Sequence, residues 1–242
     1  MHCVRPLPAF LLLVALHAGA FQSASPAAMG RIEARPSPET ISAWEAGLQS
    51  DPDNVQLRAS VLSYYRTHGP VEKYFPQALW IVQHHPESPY APLSWAGSSG
   101  SVRLPDTDFA LIKAAWEQAL VDQADNGKVL YNAGIFFSEL DPVRAVHLLE
   151  QARQLEPENQ AYLHAESGMY TRTFAQPPSS VALPKQAQAL QRELAAASDP
   201  ALLADVGSNL IRLGQKGSDA GLKAQGTELI NRAISLDPTN EN

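Results

Sequence analysis

The fold turns on one stretch, Asn126 to Asn159, which reads NGKVLYNAGIFFSELDPVRAVHLLEQARQLEPEN. Its first half places a small residue, Ala133, three positions before an aromatic, Phe136. Its second half places Ala145, Leu149 and Ala152 on one helical face, since residues three and four apart are neighbours on a helix. Pro157 then closes the segment, because proline cannot continue a helix and turns the preceding residue away from helical dihedrals. Two short helices joined by a turn are predicted. A bulky residue followed three positions later by a small one leaves room for a neighbouring helix to approach.

The closing signal recurs along the chain. Markers resembling Glu156-Pro157-Glu158-Asn159 occur around Pro52, Pro86, Ala124, Pro200 and Pro238, spaced 33 to 43 residues apart. Five residues before each marker stand Gly47, Ile81, Ala119, Ala152, Ala195 and Ala233, five of them small. Eight residues before stand Trp44, Ala78, Trp116, Leu149, Arg192 and Ile230, four of them large and apolar. A period near this length marks stacked helical repeats.

On these residues the chain resembles the tetratricopeptide repeat family over roughly positions 38–240. The last copy carries Leu203, Val206, Gly207 and Leu210, then Ile230, Ala233 and Pro238. Seven additional residues are expected between its helices, around Lys216 to Gln225. Other positions depart from the family pattern: Val129 stands for the usual tryptophan and Asn132 for a usual leucine. The copy beginning near Gln160 breaks at Gln176-Pro177-Pro178-Ser179-Ser180 and resumes near Pro184. The unit from Pro89 is expected to hold only a short helical turn, an exposed loop through Gly97-Ser98-Ser99-Gly100, and a helix over about Asp108 to Asp122. A lone helix over 37–50, capped by Ser37 or Ser42, precedes the repeats. The resemblance implies an all-α, right-handed superhelical solenoid of antiparallel helix pairs, whose first helices line a concave groove that binds protein or peptide. It implies no cofactor.

The first residues carry a different signal. Arg5 precedes an apolar run from Leu7 to Leu16, and Ala18-Gly19-Ala20 follows. These are the parts of a secretory leader, and the run is shorter than the roughly twenty residues a membrane span needs. Residues 1–20 are predicted as a signal peptide cleaved after Ala20. Residues 21–36, rich in Ala, Ser and Pro, are predicted as a flexible tether, and 37–242 as the repeat domain. Cleavage would remove Cys3, the single cysteine, and suit a secreted or periplasmic chain.

Composition limits function. The 242 residues carry a formal charge of −7, which argues against a nucleic-acid binder, since such proteins need a basic face. HExxH, CxxC, GxSxG and phosphate-loop patterns are absent from the sequence. No metal site is expected: His84 and His85 are adjacent and splay around a helix, and His164 and Glu166 point to different faces. Within the resemblance, the groove-facing candidates are Arg66, Phe137, His164, Arg172, Ser208 and Arg212. The arginines would suit an acidic or C-terminal carboxylate, because a guanidinium makes paired bonds to one. They also suit the negative ends of their helices. Two further readings stand beside the binding scaffold. One is an enzyme with its chemistry in the irregular insertions 89–105 or 174–184. The other is an adaptor that binds through solenoid edges. The uncovered face of the final helix, with Leu229, Ile230 and Ile234, raises end-to-end self-association as a last expectation.

Overall fold

The computed structural model describes residues 36–94, 103–175 and 184–238. The predicted leader, nearly all of the predicted tether and the centres of both insertions lie outside the described residues. The described residues are all-α. The order is α1 (Pro38–Ser50), α2 (Val55–His68), α3 (Val71–His84), a 3-10 turn (Ala91–Ser94), α4 (Asp106–Asp122), α5 (Gly127–Phe137), α6 (Pro142–Leu155), α7 (Gln160–Ala175), α8 (Pro184–Ala196), α9 (Pro200–Lys216) and α10 (Ala220–Leu236). No strand occurs among them.

Local chemistry sets the helix ends. Asn54, Asn126, Asp141, Asp199 and Asp219 each accept a hydrogen bond from backbone N–H groups of the turn that follows. Such caps satisfy donors that a helix start leaves unpaired. Pro142 and Pro200 occupy first-turn positions, where no N–H is needed. Gly69 ends α2 at φ 55°, a left-handed conformation that favours glycine. α1 already begins at Pro38, so Ser42 lies inside the helix and is not its cap.

Consecutive helices pack as pairs: α2 on α3, α5 on α6, α7 on α8 and α9 on α10. Between pairs, α3 packs on α4, α6 on both α7 and α8, and α7 on α9. The 3-10 turn stands where a helix of the second unit would be and touches both α2 and α5. Its place is fixed by buried polar groups. Tyr74 donates its hydroxyl towards the carbonyls of Leu93 (3.0 Å) and Ser94 (2.9 Å), and Trp116 Nε1 donates to Ser94 Oγ (3.2 Å). Burial pushes the Tyr74 phenol up.

Eight of the eleven predicted packing positions are buried. Trp116, Ala133, Phe136, Ala145, Leu149 and Ala152 are fully buried, and Gly207 and Ala233 are buried. Trp44 is half-buried, while Pro157 and Pro238 are exposed. Asn132, in the slot where leucine was usual, is buried. Its amide donates to the carbonyls of Pro86 (2.8 Å) and Ser88 (2.9 Å), tying α5 to the turn after α3.

The last pair differs from expectation. The additional residues do not form a long connection around Lys216 to Gln225. They lengthen α9 and α10 to 17 residues each, and only Gly217 to Asp219 join them. These long helices touch through glycine. A Cβ on Gly207 would lie 2.7 Å from the Gly226 carbonyl oxygen, and one on Gly226 would lie 2.5 Å from that of Gly207.

Candidate functional site

α7 and α9 run side by side with an open cleft between them. From α7 it is lined by His164, Gly168, Thr171, Arg172 and Ala175, and from α9 by Asp205, Asn209, Arg212 and Leu213. Both sets follow the three- and four-residue spacing of a single helix face. Hydrogen-bond partners advance together: His164 and Ser167 meet Asp205, and Ser167 also meets Asn209. The two helices therefore run parallel. The cleft volume of about 660 Å3 lies within the range of small-ligand and peptide-segment sites.

Its floor is a polar network centred on the Asp205 carboxylate. Oδ2 accepts from the Ser167 hydroxyl, from His164 Nδ1 (3.2 Å) and from Asn209 Nδ2 (3.4 Å). The Asn209 carbonyl in turn accepts from Arg212 Nη2 (2.8 Å). Ser167 is buried beneath this network, whereas the His164 side chain is 62% exposed.

An ion cluster on the far side of α7 fixes the helix. Arg153 of α6 donates Nε to Glu166 of α7 (2.7 Å) and Nη1 to Asp199, the cap of α9 (2.5 Å). Glu166 is 2% exposed. Burial pushes its carboxyl up, and the Arg153 guanidinium opposes that shift. His164 and Glu166 thus occupy different faces of α7.

The structure brings three of the six groove candidates together: His164, Arg172 and Arg212 all line the cleft. Ser208 is exposed on α9 but does not line it. Arg66 is on α2, half-buried, with a buried Nε that has no partner. Phe137 is a correction. It is 1% exposed, packed edge-on to Phe136 at 5.0 Å, with the Arg144 guanidinium 4.1 Å above its ring. α5 is covered on more than one side, by α4, α6 and the 3-10 turn, so the position that a two-sided helix would leave open is core.

Asp205 and Asn209 were missed by sequence reading. Their signal was present as acidic and amide residues four apart on the same face as Arg212 and Leu213. Ser167, His164 and Asp205 are the types found in a nucleophilic triad, but their arrangement is different. A triad needs its base bonded to the nucleophile, and here serine and histidine both bond to the aspartate. Among the described residues no group of three or more His, Cys, Asp and Glu is placed to hold a metal ion.

A second, smaller groove lies between α3 and α4, where Leu79, Leu111, Ala114 and Ala115 form an apolar floor. Leu111 is among the exposed large hydrophobic residues.

Fold and cleft define an all-α protein of paired helices with a charged, open groove along one parallel helix pair. No family model and no curated protein matches the chain.

Proposed function

We propose that the chain is a tetratricopeptide-like solenoid that binds a protein or peptide segment and carries out no chemistry of its own. The supporting observation is the α7/α9 cleft: His164, Arg172 and Arg212, placed on one side by helical register, line a single open groove. Two guanidinium groups there favour an acidic segment. The partner lies along the cleft, with its carboxylates against Arg172 and Arg212. The packing of α7 on α9 and of α6 on α8 supports the solenoid reading, since repeat arrays stack like helices on like. The leader signature supports export, with the working chain beginning at Phe21 in a periplasmic or extracellular space.

A fluorescein-labelled decapeptide of alternating Glu and Ala tests the groove by anisotropy. Replacing Arg172 and Arg212 together with Ala is expected to weaken binding about tenfold, equivalent to about 1.4 kcal/mol. Unchanged affinity would refute the assignment. Export is tested by the N-terminal sequence of chain recovered from a bacterial periplasm, where an uncleaved Met1 start would count against it.

The exposed Leu111 groove favours a second reading, an adaptor that docks through an edge of the array formed by α3 and α4. L111E would abolish partner capture under that reading and leave it intact under the first.

A further inference from the structure

The α7/α9 cleft contains one side chain of the type that changes charge between pH 5 and 8, His164. Its hydrogen-bond geometry determines what that change does. Nδ1 lies 3.2 Å from Asp205 Oδ2. A carboxylate can only accept, so Nδ1 carries the hydrogen. In the neutral ring Nε2 is then an acceptor, which repels a carboxylate. On protonation Nε2 becomes a charged donor, which attracts one. The same event adds a positive charge to a cleft that otherwise holds Arg172, Arg212 and Asp205, raising its net charge from one to two.

Resting on the acidic-segment reading above, we propose that the cleft is a pH-gated anion site, with His164 as the gate: it holds a carboxylate-bearing segment more tightly when the imidazole is protonated than when it is neutral. Asp205 fixes the tautomer, and with it the change of Nε2 from acceptor to charged donor on protonation. Asp205 from α9 is in contact with His164, and the other charged groups lining the cleft are Arg212 from α9 and Arg172 from α7 itself, about two turns further along. α6 and α8 also pack against α7, but neither contributes a residue to the cleft. Their ion pairs lie away from it: Arg144 with Glu117 of α4, Arg153 with Glu166 on the far face of α7 and with Asp199 at the start of α9, and His147 with Glu193. The ligand's own carboxylates stay ionised throughout, since glutamate ordinarily titrates near 4.3.

The test measures the Glu-Ala decapeptide at pH 5.5 and pH 8.0 at fixed, low ionic strength. One added charge about 4 Å from a carboxylate at the water-exposed surface gives roughly fivefold tighter binding at pH 5.5. In H164Q the two pH values give the same Kd, whatever its absolute magnitude. Equal affinity at both pH values in the parent, or an undiminished ratio in H164Q, overturns the gate and leaves the binding reading standing. Absence of binding at both pH values overturns both. A ligand-free measurement stands beside these. Long-range 1H–15N correlation spectra at pH 8 are expected to show the His164 proton on Nδ1, and to lose that preference in D205N. A proton on Nε2 in the parent chain would overturn the proposal by itself.

Discussion

Gly226→Ala probes the contact that joins the last helix pair. The new methyl would lie 2.5 Å from the Gly207 carbonyl oxygen, 2.8 Å from Ile211 Cγ1 and 3.0 Å from Ile211 N. Two of these atoms are backbone and cannot rotate away. Ordinary contact between carbon atoms is about 3.5–4.0 Å, so α9 must retreat by about 1 Å. Overpacking costs about 1–3 kcal/mol, and a clash against backbone atoms takes the upper part of that range, about 2–3 kcal/mol, while alanine gains about 1 kcal/mol of helix propensity over glycine. The net expectation is a loss of about 1–2 kcal/mol. For a domain of this size that is roughly a 2–8 °C fall in Tm, readable by circular dichroism at 222 nm. Gly168→Ala is the control. Its Cβ meets nothing within 4 Å, so propensity acts alone and stability rises by up to about 1 kcal/mol. If G226A were as stable as the parent, the close glycine crossing would not exist as described.

Two other substitutions address buried polar groups. Asn132→Leu installs the residue the repeat pattern favours, yet it removes the donors to the Pro86 and Ser88 carbonyls. Urea unfolding is expected to show a loss of about 2 kcal/mol, and an equally stable variant would refute the structural role of that amide. Arg153→Met leaves Glu166 buried without its partner, at a cost of about 3–5 kcal/mol at neutral pH. With only burial acting, the folded carboxyl titrates above its unfolded value. It therefore favours folding in acid, and that contribution is lost as pH rises. The deficit of R153M should shrink as pH falls towards the ordinary carboxylate range, and a pH-independent deficit would contradict the assignment.

The helical class was legible because proline markers and alternating bulky and small slots act locally. Trp116, Ala133, Leu149 and Ala152 each obey a spacing that one helix face imposes. The α7 and α9 side of the groove was legible for the same reason, since register places Arg172 and Arg212 without knowledge of neighbours. Phe137 was not, because its burial depends on how many elements surround α5. Asn132 was not, because its partners lie more than forty residues earlier and are backbone carbonyls. The length of α9 and α10 was not, because the repeat spacing assigned the additional residues to the connection, whereas close approach at Gly207, Gly214 and Gly226 lets both helices run on side by side. Asp205 was overlooked because its significance comes from Ser167 and His164 on another helix.

Arg153 has a consequence for recognition. Asp199 receives its guanidinium on one oxygen while the other caps the first turn of α9. The same arginine holds Glu166 on α7. A single side chain therefore acts as a strut, fixing the separation of the two cleft walls from behind. On the binding role proposed above, a partner segment would meet walls already at their working width, so that less ordering is required on binding and shape, not closure, would govern which segments are accepted.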